Sequence, residues 1–257
     1  MRCFNHIVCA VVVAGIGLAA APASATVANG GFETGNFAGW TTIGDAAVVN
    51  AADGVLPSGG ALMAGLSTEN TLGGLAVSGG QVAAFLGVSL GALEAVGFSN
   101  GGDPNSGPAV FGEPGPVGTA MLQTFSAKAG DELSFAFNFG TNESPNTDFN
   151  DSVFLFFDGE FRLLADTGSV FPDAGADFEF YTGFKTVSFT IDSTGDHTIG
   201  FAILDERDAI VDSILLIDDV VLQSGEDVPA APGLPLLAMG LAGLVAFRLQ
   251  SARSNRK

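Results

Sequence analysis

In Leu133-Ser134-Phe135-Ala136-Phe137-Asn138-Phe139, large apolar residues alternate with small or polar ones at every step. Successive side chains of a strand point to opposite faces, so this run reads as a strand with one face in a core and one toward water. Outward from it the chain keeps the same texture. Short β-rich runs bounded by Gly, Asp, Asn and Pro recur at residues 46–50, 82–88, 119–125, 132–139, 152–157, 161–165, 184–191, 197–204 and 213–222. No helix-period stretch and no fixed-period repeat stands out. The pattern predicts an all-β domain of the sandwich type.

Residues 97–118 differ, with seven glycines and four prolines in 22 positions. Strand signals resume directly afterwards, so this is a loop within one domain and not a linker between two. The chain's 22 phenylalanines, with many Val, Ile and Leu, exclude a disordered polymer. The expected organisation is a signal peptide at 1–25, the sandwich at 26–225 and a hydrophobic segment at 226–257.

Both ends read as transport signals. Arg2 precedes an apolar stretch of 15 residues, 7–21, followed by Ala23-Ser24-Ala25. That is the charged region, apolar region and small-residue cleavage site of a secretory signal, with cleavage by signal peptidase expected after Ala25. Cys9 is preceded by His6-Ile7-Val8, with no small residue directly before it, which argues against a lipoprotein signal. Both cysteines, Cys3 and Cys9, lie inside this segment, so the mature chain has no thiol or disulfide chemistry. At the other end, Val228-Pro229-Ala230-Ala231-Pro232 leads into the apolar run 234–247 and then Arg248, Arg253, Arg256 and Lys257. Fourteen apolar residues fall short of the roughly 20 that span a bilayer core, and the basic end resists translocation. The expectation is transient inner-membrane insertion, either as an anchor or as a processed address.

All 28 acidic residues lie between Thr26 and Asp227, against only four basic ones, Lys128, Arg162, Lys185 and Arg207. The mature net charge is then −24, which repels nucleic acid and other polyanions and attracts cations. The acidity reads either as solubility outside the cell or as carboxylates that hold a divalent metal.

Catalytic signals are weak. The mature chain has one histidine, His197, at the start of a strand, and no Gly-x-Ser-x-Gly elbow. A zinc site needs more nitrogen or sulfur ligands than this chain offers. With so many acids, a carboxylate pair at glycosidase spacing arises by chance. The residues therefore point to a non-enzymatic protein. Sugar platforms use exposed aromatics, and the mature chain has one Trp and one Tyr. Trp40 reads as core, which leaves Tyr181, in Phe178-Glu179-Phe180-Tyr181-Thr182, to present a hydroxyl to water.

Two resemblances add to this reading. The hinge with Val228, Pro229 and Pro232, the apolar run and Arg248 resemble the PEP-CTERM sorting signal of Gram-negative bacteria, which usually begins Val-Pro-Glu-Pro. Here Ala230 and Ala231 replace the glutamate and push the second proline to position 232. The resemblance implies processing by an exosortase and delivery to the cell surface or extracellular matrix. Separately, Asn29-Gly30-Gly31-Phe32-Glu33-Thr34-Gly35-Asn36-Phe37-Ala38-Gly39-Trp40 and Ile214-Leu215-Leu216-Ile217-Asp218-Asp219-Val220-Val221-Leu222 resemble the first and last strands of carbohydrate-binding-like jelly rolls. That implies a jelly-roll β-sandwich in which these strands pair and Phe32, Trp40, Ile217 and Val220 fill the core. The implied role is a structural or adhesive matrix component, with a carbohydrate-binding module acting on exopolysaccharide as the alternative.

A cation site follows from charge and resemblance together. Asp218 is flanked by apolar Ile217 and Val220, and a buried, unpaired carboxylate is costly. Calcium takes six to eight oxygens from carboxylates and carbonyls, and the jelly-roll resemblance implies Glu33 and Asp218 as its ligands. Asp219, one step along the strand, is expected on the opposite face. The competing reading is that Asp218 accepts backbone N–H groups at a strand end. Asn142, Glu143, Asp151 and Asp212, with Asn150 and Asp208 nearby, form a second candidate set of oxygen ligands, for which turn formation is the simpler reading.

Overall fold

A computed structural model describes residues 26–52, 54–89, 91–92, 117–145, 150–172, 178–205 and 211–225. Both transport signals, including Val228, Pro229, Pro232 and Arg248, lie outside the described residues, as do Asp208 and nearly all of the Gly/Pro-rich loop. Among the described residues no helix is long and apolar enough to cross a membrane.

The strands are β1 (Thr41–Ile43), β2 (Asp45–Val49), β3 (Met63–Ser67), β4 (Val77–Ser78), β5 (Val117–Ala127), β6 (Glu132–Thr141), β7 (Ser152–Phe157), β8 (Glu160–Asp166), β9 (Phe171–Pro172), β10 (Phe180–Tyr181), β11 (Lys185–Thr190), β12 (Gly195–Asp205) and β13 (Ser213–Gln223). An α-helix, α1 (Gly79–Phe85), follows β4, and a short 3-10 turn (Thr167–Ser169) follows β8. The strands form two antiparallel sheets, which makes the domain a β-sandwich. The first sheet runs β1-β5-β12-β7-β8, with β4 also on β5. The second runs β2-β3-β13-β6-β10-β9, with β11 also on β6.

The large residues of 133–139 enter the core as their alternation predicts, but the other face does not meet water, because Ala136 and Asn138 are buried too. Leu133, Phe135, Phe137 and Phe139 of β6 meet Leu215, Ile217 and Leu222 of β13 and Leu155, Ile199 and Phe201 of the opposite sheet in one buried cluster. Phe135 and Phe201 pack edge to face with centroids 4.8 Å apart. Phe32, Trp40, Ile217 and Val220 are all buried there. Two smaller clusters cover the outer faces. Helix α1 lays Val82, Ala83 and Leu86 on Phe154, Phe156, Ala202 and Leu204 of the first sheet. Met63, Ile214 and Leu216 of the second sheet carry Ala52, Phe178 and Tyr181.

Four expectations need correction. Residues 82–88 were expected as a strand, but 79–85 are helical. Ser78 caps that helix by accepting the Gln81 N–H, and Gln81 reaches back to the Ser78 N–H, so local capping outweighs the apolar run. The segment 29–40 is a series of turns and not a strand. Asn29 and Phe32 have φ of 49° and 56°, which breaks an extended ladder. It still reaches the last strand through Val220 N–H to Gly30 O at 3.0 Å. β13 itself pairs with β3 and β6. β3, Met63-Ala64-Gly65-Leu66-Ser67, was missed because it lacks β-branched residues, yet every residue in it is buried. Tyr181 does not face water. It is buried and packs with Phe178 at a centroid distance of 6.0 Å.

Candidate functional site

Three regions of the sandwich gather chemistry-bearing side chains. The first is the junction of the N-terminal turns, the 58–62 loop and β13. Asp218 is fully buried. Its Oδ1 accepts the Asp219 N–H (2.8 Å), and its Oδ2 accepts the Gly59 N–H (3.0 Å) and the Ser58 hydroxyl (3.2 Å). Burial pushes the Asp218 carboxyl above its ordinary range. The Gly59 and Asp219 N–H bonds oppose that, and the Asp219 charge adds to it. Glu33 Oε1 accepts the N–H groups of Ala61 (2.8 Å) and Leu62 (3.0 Å). The expected alternation fails at Asp219. The β13–β6 register shifts between Asp218 and Val221, and Asp219 adopts φ of 51°. This bulge turns Asp219 toward the same loop, where its Oδ2 accepts the Ser58 hydroxyl at 2.9 Å.

Three carboxylates thus converge on Ser58-Gly59-Gly60. A Cβ on Gly59 would displace the Asp219 carboxylate and one on Gly60 the Glu33 carboxylate, and Gly60 also has a φ of 59° that favours glycine. None of the three forms an ion pair among the described residues. In kind, this set of hard oxygen donors fits a calcium ion. In number it falls short alone. No three His, Cys, Asp or Glu side chains among the described residues are grouped to hold a metal, so an ion here would also draw on Ser58 and backbone oxygens. Asp45 and Asp131 are also buried, and each accepts two backbone N–H groups, with no second acid converging on them in these bonds.

The second candidate set gathers around Thr141 and Ser213, paired across β6 and β13. Asp151 is buried and accepts the Ser213 hydroxyl, which also bonds Thr141. The Asn142 side chain accepts the Glu179 N–H (2.8 Å), and the Glu143 N–H donates to Thr141 Oγ1 (2.9 Å). Asp212 Oδ2 accepts the Thr71 hydroxyl at 3.0 Å. The same Asp212 shares a hydrogen bond with Glu69, which together with burial and the Asp212 charge pushes the Glu69 carboxyl up to about 7. The fold brings the set to one end of the sandwich, where each polar group already serves a local bond.

His197 is buried at the start of β12. Its Nδ1 lies 2.7 Å from Asp158 Oδ2 and its Nε2 lies 3.0 Å from the Ser193 carbonyl. Its ring stacks on Phe157 at 5.6 Å. Burial opposes the imidazolium, yet the Asp158 and Ser193 hydrogen bonds and the charges of Asp158 and Asp196 outweigh it and raise the pKa.

The third region was not foreseen. β8 ends the first sheet and β11 is bonded only to β6 in the second, so two sheet edges lie side by side. Between them runs a groove of about 340 Å³ whose lining includes Phe137 and Leu155 of the core, Arg162 to Leu164 of β8 and Lys185 to Phe189 of β11. The Arg162 guanidinium carbon stands 5.9 Å from the Phe189 ring centroid. Two of the four bases between Thr26 and Asp227 therefore line one groove. Among the described residues, neither makes an ion pair, the one such pair being His197 with Asp158. The rarity of bases was visible in the sequence, but their meeting was not, because Arg162 and Lys185 belong to different sheets.

No family model matches this chain, and no curated protein matches it. Solved structures of similar architecture include TmCBM61 in complex with β-1,4-galactotriose, at 14% identity and a TM-score of 0.39 over 77% of this chain and 96% of that one. A structure on the promiscuous specificity of carbohydrate-binding modules of the β-sandwich superfamily matches at 8% identity and 0.35, over 75% and 60%. The xylan-binding domain of CBM 22 matches at 10% and 0.29, over 76% and 92%. These neighbours are β-sandwich carbohydrate-binding modules. At such identities and scores they assign this chain no ligand.

Proposed function

We propose that this chain is an exported, non-catalytic jelly-roll sandwich that binds carbohydrate in the groove between β8 and β11. The observation that carries the reading is the lining of that groove. Leu164, Val187 and Phe189 supply apolar surface beside Phe137 and Leu155, and Arg162 and Lys185 supply charged donors. A sugar ring has an apolar C–H face and a polar rim, and sites for such ligands combine apolar walls with a few placed polar groups. At about 340 Å³ the space is small, near the lower end of the roughly 300–1,000 Å³ of ligand pockets. It suits single sugar units of a longer chain. His197 has both ring nitrogens engaged and buried, which leaves no atom of it for a substrate and favours binding over catalysis.

In this reading the secretory signal exports the chain. The segment with Val228, Pro229, Pro232 and Arg248 passes it through the inner membrane to an exosortase and then to the cell surface or matrix. Glu33 and Asp218, with Asp219 and Ser58, hold a structural calcium ion that ties the N-terminal turns to β13. Affinity electrophoresis tests the binding. The full-length protein is expected to be retarded in gels containing extracted exopolysaccharide. Val187→Ser, at a half-buried position on the groove wall, is expected to weaken the retardation. Unretarded wild type removes carbohydrate binding from this account.

A further inference from the structure

We infer that the groove between β8 and β11 selects an anionic sugar, a uronate unit whose carboxylate is held by Arg162 and Lys185. This rests on the carbohydrate reading and adds the charge of the ligand. Bases are scarce in this chain and acids are everywhere, with 28 acids and four bases between Thr26 and Asp227. In such a chain a cation has many acids to pair with. Arg162 and Lys185 instead point into one cavity from opposite sheets with no carboxylate partner among the described residues. Two cations facing each other across a groove repel unless an anion sits between them. The missing counter-charge is the ligand's.

The chemistry of the two residues fits a carboxylate. Arginine offers a planar fork that can bind both carboxylate oxygens, and lysine adds a point charge. Arg162 is also steadied over the Phe189 ring, which itself packs edge to face on Phe157 with centroids 5.0 Å apart. The ring of the sugar then lies along Leu164 and Val187, which line the same space. The domain as a whole repels polyanions, so the site favours uronate units read at short range. At physiological salt the Debye length is about 8 Å, which screens distant acids while leaving direct contacts in place.

An acidic peptide strand laid along the free edges would use the same charges, but the small volume of the groove favours a ring over an extended backbone. The test uses full-length protein at about 0.15 M salt, where long-range charge is screened. Trigalacturonate is titrated against its carboxyl-reduced neutral counterpart of the same linkage. Trigalacturonate is expected to bind about tenfold tighter, as one charge-assisted contact predicts. Arg162→Gln and Lys185→Gln are each expected to bring its affinity down to the neutral level, and Arg162→Lys to recover part of it. Both substitutions sit at exposed positions on sheet edges, so an unchanged melting midpoint shows the fold intact. Equal affinity for both sugars, or variants that bind trigalacturonate as well as wild type, overturns the anionic selectivity and leaves carbohydrate binding standing. Binding of neither sugar and of no exopolysaccharide sinks both. Polyglutamate that binds as tightly as trigalacturonate replaces the sugar with an acidic peptide.

Discussion

Asp218→Asn separates a calcium site from a carboxylate that merely accepts backbone N–H groups. The substitution keeps Oδ1 for the Asp219 N–H but places an NH₂ against the Gly59 N–H, which loses its acceptor, while the Ser58 hydroxyl still donates to Asp219 Oδ2. One buried donor left without an acceptor costs about 1–3 kcal/mol. Relief of the buried charge works the other way, so in chelator the variant is expected a modest step below wild type. Calcium gives the larger contrast. Extracellular sites bind at roughly 0.1–1 mM, so 10 mM calcium adds about 1.4–2.7 kcal/mol to a protein that binds only when folded. For a domain of this size each kcal/mol moves the midpoint by about 2–4 °C, which predicts a rise of roughly 3–11 °C for wild type. Melting of the full-length protein by circular dichroism reads it. Asp218→Asn and Glu33→Gln are expected to lose the rise. Asp45→Asn, at an equally buried carboxylate that accepts only N–H groups, is expected to keep it. A wild-type midpoint that does not move between calcium and chelator refutes the site. So does a full calcium response in Asp218→Asn.

The protein should also gain stability as pH falls from 8 to 6. Glu69 titrates at about 7 in the fold against 4.5 when unfolded, so its contribution is complete below 4.5 and is lost as pH rises through 7. Glu69→Gln keeps a donor to Asp212, and is expected to flatten that slope and raise the midpoint at pH 8. His197 has a raised pKa, so its contribution is present below 6.5 and lost as pH rises through its higher folded value. Asp158→Asn removes the charge that raises it, and NMR titration of the ring should show its pKa fall; an unchanged value would refute the pairing. Gly30→Ala drives a Cβ into the Val220 carbonyl and is expected to cost more than 1 kcal/mol, read as a lower urea midpoint with an unchanged slope.

The long strands were legible because two forces agreed in them. In β6, β7, β12 and β13, β-propensity and burial point the same way, so alternation or a continuous apolar run marked them. β3 was not legible, since Met63-Ala64-Gly65-Leu66-Ser67 is held by its partners β2 and β13 and not by its own propensity. The helix at 79–85 was hidden for the opposite reason. Its decisive signal is two side chains, Ser78 and Gln81, beside an apolar run that reads equally as a strand. At the carboxylate junction, Glu33 and Asp218 were reached from the sequence. Asp219 was turned away by a periodicity rule that holds only where the ladder is regular, and a bulge repeals it.

The groove shows why abundance hides function. With 28 acids, almost any arrangement of carboxylates occurs somewhere, so their positions carry little information. Four bases carry far more, because each must be placed against a strong field. One explanation for Arg162 and Lys185 needs no ligand, since a charge on an edge strand deters pairing with another chain. That role requires only that each strand carry a charge of either sign. β8 already has Glu160 and Asp166 for it. It does not require that the charges line a cavity, that both be cations, or that they be left without acids. Edge protection predicts that Arg162→Glu and Lys185→Glu keep the wild-type sedimentation and bind trigalacturonate as wild type does. The uronate site predicts wild-type sedimentation with that binding lost. Sedimentation and calorimetry on the same two variants decide between these, because the sign of the charge matters to a ligand and not to an edge.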